Sequence, residues 1–551
     1  MSLIEIKGES KERLSLRSIE RTLEAGHPLV VGWSAGKDSS VLANLVLSAA
    51  AVLADRGVRT PVVITHADTG VENPEIVALA RNEIRKMRDF IRARNLVAEV
   101  MVGEPTLTQS WPVRVIGGRA LPPFPDTRRD CTTDWKIAVN ERNLKRATDG
   151  LKRLGFAEVV VATGVRRGES DARDAAIQAR GERSDRPWRN DEGRLMLSPI
   201  LEWELDDIWE YLGLANAKVI DAYSDFSDTL RVYADGGGTS CAVVSDLAMA
   251  KFAKPCSSRF GCWTCTAVSK DRSLTNMIER DGQRYGYLQP LAALRNFLAD
   301  SQYDWDRRQF VQRTIRDGHI VIAPDTYNPN MLADLLRYTL TAQEISGVSI
   351  ISDAALVAID ARWSLYGLHP PFEAIRIWQD VVLRGNRYHP PVLSRPYPKT
   401  PAPHLGRIHV GNDWDDETSP LYADGLRHPV WELFSDSCGP ALRTFANGKV
   451  GLDLEEGIEV DAEGASMFLE FEAEQKAAEP NRPGQRWVEG FLYYLALGVV
   501  SPGKGQSSMV DELIRRTNWR QDFNLHGQRS PAELYERCQD KAPRQIELFY
   551  A

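Results

Sequence analysis

Several things are scarce in this chain of 551 residues, and each shortage excludes something. No apolar run approaches the roughly 20 residues that span a bilayer, so no membrane-crossing helix and no membrane partner are expected. The stretch from Met1 to Arg17 alternates charged and polar residues and lacks the apolar core of a secretory signal. The expected location is therefore cytoplasmic. Positive charge is not in excess. Against 68 Lys and Arg stand 76 Asp and Glu, a net charge of −8, so bulk electrostatics will not coat nucleic acid with this protein. Any nucleic-acid contact has to be a local basic patch or pass through a partner. Cysteine is sparse, with seven in the chain, and in a reducing compartment these build no disulfide framework. Their clustering carries the information. There is no internal repeat and no low-complexity tract. What remains is the composition of a folded globular protein, 43% hydrophobic and 26% charged, at a length that calls for two or three domains.

The most informative stretch runs Val30-Val31-Gly32-Trp33-Ser34-Ala35-Gly36-Lys37-Asp38-Ser39-Ser40 and continues Val41-Leu42-Ala43-Asn44-Leu45. It reads as a buried strand, a tight polar loop and an amphipathic helix. Such a loop aims backbone N–H groups, hydroxyls and a helix N-terminus at one point, which suits a pyrophosphate. It is not the commoner phosphate loop, whose two glycines are separated by four residues and followed by Lys and Ser or Thr. Here three residues separate Gly32 from Gly36, and Asp38 follows Lys37. A carboxylate inside an anion cradle makes sense beside a Mg²⁺ ion. The plainer alternative is a glycine-rich turn at a helix start.

Around the loop, strands and helices alternate. A helical lead-in is expected over 1–24. Strands are expected at Pro28 to Gly32, Pro61 to Thr65, Leu96 to Val102 and Val159 to Thr163. Helices are expected at Leu42 to Leu53, from Asn73-Pro74 onward, and at Ile137 to Leu154. This pattern argues for an α/β domain over 25–284 with a doubly wound, mostly parallel sheet and ligands at the carboxyl ends of its strands. Gly103 to Arg129, with five prolines and a Gly-Gly pair, reads as an irregular functional lid. Gly181 to Arg194 and Asp221 to Cys241 read as loops. From about Ser273, helices separated by proline-rich breaks take over. They include Leu291 to Ala299, Asn330 to Ala342, Asp353 to Tyr366 and the stretch Gln485 to Ala551, with Pro390 to Pro403 as an extended connector. Residues 285–551 are thus expected to form a mainly helical C-terminal domain, and no motif there attaches to chemistry.

Two further segments end predicted strands near the loop. One is His66-Ala67-Asp68-Thr69-Gly70-Val71-Glu72, where a carboxylate can meet a ribose, an adenine or a metal-bound water, or simply favour a helix start. The other is Gly164-Val165-Arg166-Arg167-Gly168-Glu169-Ser170, where two arginines offer planar forks to an α-phosphate or a substrate anion, or form a solvated basic turn. Ser-x-Gly-Lys-Asp-Ser at 34–39 resembles the PP-loop of the ATP pyrophosphatases. The ordered set, completed by Pro199-Ile200, Trp203 and Asp207-Ile208-Trp209, resembles the phosphoadenosine phosphosulfate reductase branch of that family over about the first half of the chain. The resemblance implies an adenine nucleotide α-hydrolase-like fold, with ATP and Mg²⁺ as cofactors. It implies that Ser34, Gly36, Lys37, Ser39 and Ser40 hold phosphates and that Asp38 holds Mg²⁺ directly or through water. His66, Asp68, Thr69 and Gly164 would complete the nucleotide site, and Lys37, Asp38, Arg166 and Arg167 would carry the chemistry.

Cys256, Cys262 and Cys265 fall within ten residues, and the Cys-x-x-Cys pair presents two thiolates to one centre. Zinc, a redox dithiol and a four-cysteine cluster all fit this spacing. The family resemblance implies a [4Fe–4S] cluster held by Cys131, Cys256, Cys262 and Cys265. Cys241 competes as fourth ligand or as a persulfide carrier, while Cys438 and Cys538 stand alone. The string Arg259-Phe260-Gly261-Cys262-Trp263-Thr264-Cys265-Thr266, with Lys270-Asp271-Arg272-Ser273 and segment 164–170, resembles the DndC-like family and its Ssp-type counterpart, the sulfurtransferases of DNA phosphorothioation. That resemblance implies ATP-dependent activation of a DNA backbone phosphate with release of pyrophosphate. Sulfur would then come from a cysteine desulfurase partner, alongside other subunits of an antiviral modification system. Arg114, Arg119, Arg128, Arg129 and Lys136 are then candidate DNA contacts, together with Arg166 and Arg167. Three other readings stay open. They are a sulfonucleotide reductase, against which the cysteine-free stretch Gln545 to Ala551 argues, a tRNA thiolase, and a non-catalytic ATP-binding scaffold subunit.

Overall fold

The computed structural model describes residues 10–122, 124, 132–168, 171–237, 260–266, 270–316, 319–403, 407–409, 442–444, 450–452, 457–522, 524–528 and 532–533. The chain divides into two compact units. The first joins residues 1–105, 130–263 and 271–286, and the second joins 106–129, 264–270 and 287–551.

The first unit is built on one sheet of β1 (Leu29–Gly32), β2 (Val62–Ala67), β3 (Ala98–Gly103), β4 (Val160–Ala162), β5 (Trp188–Arg189) and β6 (Leu195–Leu197). Their order is β3-β2-β1-β4-β6-β5, parallel throughout except for β5, which pairs antiparallel with β6 at the edge. Leu29-Val30-Val31 and Val62-Val63-Ile64 are buried on both faces, as apolar runs rich in β-branched residues should be when helices cover a parallel sheet. Alternation decides which cover each residue meets. Leu29 and Val31 share a core with Ile19 and Leu23 of α1 (Lys11–Glu24), Leu45 of α2 (Lys37–Asp55), Met87 of α3 (Pro74–Ala93) and Leu212 of α6 (Leu205–Asn216). Val30 and Val63 face the other way, against Ala147 and Leu151 of α4 (Ala138–Arg153). The N-terminal helix is therefore part of this core. By length and composition α2 could cross a membrane, but 67% of its apolar window is buried inside the unit.

The chain steps outward from β1 to β3 and then returns across β1 to β4. The loops after β1 and β4 diverge at that reversal and leave a crevice at the carboxyl ends of the strands. The expected doubly wound, mostly parallel sheet is thus present. Two stretches read as loops carry structure. Residues 188–189 form β5, which pairs with β6 just beyond the first of these stretches, and Ser227–Gly236 forms α7, which follows α5 (Asp171–Arg180) and α6. Helices α8 (Arg272–Arg280) and α9 (Gly282–Tyr285) complete the unit.

The second unit is mainly helical, with α10 (Gln289–Asp300), α11 (Pro329–Ser346), α12 (Asp353–Leu365), α13 (Glu373–Trp378) and later helices Ala462–Phe471, Glu489–Ala496 and Ser507–Asp522. Helix α12 is apolar nearly all round and is buried from Ala354 to Leu365, which is how a helix with no polar face finds its place. Neighbouring segments satisfy polar groups along it. Ser364 accepts from Phe491 N at 2.8 Å, and Leu365 O accepts from Thr517 Oγ1 at 2.6 Å. The expectation of an irregular lid at 103–129 does not hold for its described part. Trp111, Val113 and Ile116 are buried in this unit, Arg362 donates to Val113 O at 2.7 Å, and Trp363 Nε1 donates to Ile116 O at 2.7 Å. An antiparallel hairpin of β7 (Arg308–Arg316) and β8 (His319–Tyr327), extended by β9 (Arg407–His409), is a β element that the helical expectation missed.

Candidate active site

The loop after β1 makes its turn at Ala35, whose φ of 59° puts a residue with a Cβ in the left-handed region. That conformation costs roughly 1–2 kcal/mol in an L-residue, and here it is held by burial, because Ala35 is 1% exposed. Gly36 caps α2 with extended backbone (φ −77°, ψ 156°) and has no side chain to occupy the first-turn N–H groups. The loop is braced from within. Ser39 Oγ donates to Gly36 O at 3.0 Å and accepts from Ser34 N at 3.2 Å, and Trp33 Nε1 donates to Ser40 Oγ at 3.1 Å. From the neighbouring strand, Gly164 lies so close that a Cβ there would sit 3.3 Å from Ser39 Cα and N. A glycine is what allows the β4 loop to reach the α2 N-terminus.

Three charged groups meet at this point. Asp38 Oδ1 accepts from Arg166 Nε, and Asp38 Oδ2 lies 3.1 Å from Lys37 Nζ. The side chains are 6%, 18% and 13% exposed for Arg166, Asp38 and Lys37, so water screens them weakly. Two cations sharing one carboxylate leave a net positive charge at the start of a helix, where the backbone dipole adds to it. The cluster is complementary to a phosphate group. Each carboxylate oxygen of Asp38 thus faces a cation of the chain. Among the described residues, no three of His, Cys, Asp or Glu converge as a metal site.

The β2 loop closes the adjacent wall. Trp33 N donates to Thr65 O at 2.9 Å, and His66 Nδ1 donates to Trp33 O at 3.2 Å. Asn143, buried on α4, donates to His66 O at 2.9 Å and fixes the loop from the far side. Asp68 accepts from Gly70 N at 3.0 Å, and Glu72 accepts from Thr69 N at 3.2 Å. Backbone pairing then ties this loop to the cysteine segment. Glu72 and Cys262 form an antiparallel bridge, and Trp263 N donates to Val71 O at 2.9 Å.

Together these loops line a cleft of about 1290 Å³ in the first unit, ample for a nucleotide and a second reactant. Ser34, Gly36, Lys37, Asp38, Ser39, His66, Asp68, Gly164, Arg166 and Arg167 all line it. Arg167 is half exposed and paired with Glu202 at 3.1 Å. Two expected members stand apart from the walls. Ser40 is fully buried with its hydroxyl turned to Trp33, and Thr69 is buried beneath the β2 loop. Lys136 also lines the cleft. Arg119, another expected DNA contact, belongs to the second unit, where it donates to Tyr366 OH at 2.6 Å and covers that ring at 5.4 Å. Arg114 is in the same unit. Cys131, Cys256, Cys241, Cys438, Cys538, Arg128 and Arg129 lie outside the described residues, while Cys262 and Cys265 are half-buried.

Residues 28–268 match the model of the phosphoadenosine phosphosulfate reductase domain. The reductase-domain match takes in the β1 loop, the β2 loop, the arginine segment and the Cys-x-x-Cys string, and it covers less than half of the chain. A crystal structure of phosphoadenylyl-sulfate reductase from Candida auris, in complex with phosphate, is similar over 39% of this chain and 90% of that chain, at 14% identity and a TM-score of 0.23. No curated protein matches this chain.

Within the domain, motif reading passed over Tyr233 and Asn143. Neither belongs to a local pattern. Tyr233 reaches the cleft from α7, a stretch read as loop, and Asn143 acts through a backbone carbonyl.

Proposed function

We propose that this chain binds ATP in the cleft of its first unit, adenylates a phosphate oxygen of the DNA backbone with release of pyrophosphate, and lets a sulfur nucleophile from its partner displace AMP from the activated backbone phosphorus. What carries the reading is the Lys37–Asp38–Arg166 cluster at the α2 N-terminus, a net cationic and largely water-excluded point where a polyphosphate chain would lie. The match to a reductase domain supports nucleotide-dependent sulfur chemistry.

The chain's own residues would act by position and charge. Arg166 and Lys37 would shift from Asp38 toward the phosphate oxygens and neutralise charge as the bond between the α-phosphorus and the leaving pyrophosphate lengthens. The backbone N–H groups of the α2 start would hold the leaving group. The attacking phosphate oxygen would approach the α-phosphorus from the cleft side bearing Lys136 and Arg167. Cys131, Cys256, Cys262 and Cys265 would hold a [4Fe–4S] cluster, which would supply a sulfur-handling or electron-storing centre.

The test is pyrophosphate release from ATP by the intact chain with duplex DNA, its desulfurase partner and the companion subunits, together with mass spectrometry of nuclease-resistant dinucleotides. ATP cleavage between the α and β phosphates and sulfur-linked dinucleotides are expected. The domain match favours one rival, reduction of an adenylyl sulfate. Turnover of adenylyl sulfate to sulfite, with no pyrophosphate release from ATP, would replace the proposal with that rival.

A further inference from the structure

We propose that the proline-rich segment 384–403 is a DNA-binding strap, a fixed basic stretch of the second unit that takes the phosphate backbone of duplex DNA. The inference rests on the DNA reading above and gives that substrate a surface outside the candidate active site.

The sequence sets this stretch apart. The chain as a whole carries 68 Lys and Arg against 76 Asp and Glu. From Val381 to Asn412, however, there is no Asp or Glu, while Arg384, Arg387, Arg395, Lys399 and Arg407 all fall inside. A local excess of positive charge in an acidic protein is where a polyanion is drawn. Six prolines between Pro390 and Pro403 fix φ and remove N–H donors, so the stretch enters neither a helix nor a sheet interior. Residues 385–403 have no helix or strand, and all but Tyr388, Pro390 and Leu393 are exposed. Extended proline-rich chain advances about 3.1 Å per residue. Cations four to eight residues apart along it are spread out, which suits the repeated charge of a nucleic-acid backbone rather than one small anion.

The strap is also tied down. Tyr388 N donates to Thr341 Oγ1 of α11 at 3.0 Å, and Tyr388 OH donates to Asp380 Oδ2 at 2.5 Å. Asp380, the last carboxylate before the strap, also accepts from Asn386 Nδ2 at 2.7 Å and is thus engaged in holding it. Farther on, Tyr397 N donates to Asp300 O at the end of α10 at 2.9 Å, and Trp305 Nε1 donates to Thr400 Oγ1 at 2.9 Å. Arg387 belongs to the fastening, since it donates to Val381 O at 2.6 Å and lies 3.9 Å from Glu344. Arg384 and Arg395 are exposed. A plain solvated linker would need no such ties to α10 and α11. A basic chain already held in place gives up little conformational freedom on binding, so more of its charge attraction appears as affinity.

The experiment follows the anisotropy of a short fluorescein-labelled DNA duplex titrated with the intact chain at several salt concentrations. It compares Arg384→Ala/Arg395→Ala with Arg92→Ala/Arg482→Ala, two exposed arginines elsewhere whose loss changes net charge equally. Counterion release makes each phosphate contact worth about tenfold in affinity at about 0.1 M salt and about 0.9 in the slope of log K against log salt. The strap variant should bind the duplex about 10- to 100-fold more weakly, with a slope smaller by about 1–2. Arg384→Lys/Arg395→Lys should keep most of the affinity, the control pair should bind like the unaltered chain, and Tm and ATP binding should be the same in all. A strap variant that binds like the unaltered chain, or a control pair that loses as much, overturns the assignment and leaves the DNA reading standing. Tighter binding of an RNA duplex of the same sequence overturns it as well. An unaltered chain that binds ATP but no DNA removes the DNA reading and the strap together.

Discussion

Asp360 and His369 give the second unit a pH dependence that the intact protein conceals. Asp360 lies within the buried stretch of α12, with Ala374 N donating to Oδ1 at 2.8 Å and Tyr494 OH donating to Oδ2 at 3.0 Å. Burial raises its pKa from 3.8 to about 7, against the lowering effect of those two bonds and of Arg376. His369 is buried against the Trp363 ring at 4.4 Å with Nε2 donating to Pro329 O at 2.8 Å, and burial lowers its pKa from 6.5 to about 4. The signs are opposite. Between pH 4 and 7 the folded chain holds a proton at Asp360 that the unfolded chain has lost, so stability falls as pH rises, by about 1.4 kcal/mol per pH unit. Between about pH 4 and 6.5 the unfolded chain binds a proton at His369 that the folded chain refuses, so stability rises with pH by the same slope. The two slopes offset, and the unaltered unit should be nearly flat to pH 6.5 and then weaken toward pH 7. Asp360→Asn should unmask the histidine, with stability rising by about 3 kcal/mol from pH 4 to 6.5. His369→Gln should unmask the aspartate, with stability falling by a similar amount over the same window. Hydrogen-exchange mass spectrometry on peptides from 353–365, corrected for intrinsic exchange, reads the opening free energy of α12 at each pH. The comparison uses slopes, so a pH-independent cost of either substitution drops out. Profiles parallel to the unaltered chain in both variants would refute the assignment of the buried charges.

Arg166→Lys keeps the charge but loses the planar fork, and Arg166→Ala loses both. Pyrophosphate release should fall by about 10²- to 10³-fold in the alanine variant, as for one electrostatic donor to a transition state, and substantially in the lysine variant, with kcat more affected than KM. Rates within threefold of the unaltered chain would remove Arg166 from the proposed chemistry. Gly164→Ala should destabilise the first unit by about 1–3 kcal/mol and weaken ATP binding, because the added methyl would press on the Ser39 backbone at 3.3 Å. Scanning calorimetry and ATP titration check the pair, and an unchanged Tm with unchanged affinity would show that the two loops separate without cost.

Much of the first unit was legible because buried parallel strands write themselves as apolar runs. Predicted strands at 28–32, 61–65, 96–102 and 159–163 correspond to Leu29–Gly32, Val62–Ala67, Ala98–Gly103 and Val160–Ala162. The short edge strands have no such run. In the second unit, Arg308–Arg316 and His319–Tyr327 are joined in the sequence by Asp317-Gly318, a hairpin dipeptide whose signal was there to be used. The cluster Trp111-Pro112-Val113-Arg114-Val115-Ile116 also carried its own warning, since so apolar a stretch has to be buried. Proline and glycine content alone made it look like a lid.

The site was legible as separate motifs, but its electrostatics depend on strand order. Asp38 follows β1 and Arg166 follows β4, 128 positions apart, and they meet only because β4 pairs with the flank of β1 that β2 leaves open. With β4 at the far edge, the same motifs would leave Asp38 open to a metal and Arg166 exposed to solvent. The observed order places Arg166 on one oxygen of Asp38 and Lys37 on the other, so the carboxylate serves as the counter-ion that keeps two cations together. Glycine at 164 permits that approach, and Tyr233 steadies Lys37 from α7. Residue identity therefore names the participants, while sheet topology decides which charges neutralise one another and which remain available to a ligand.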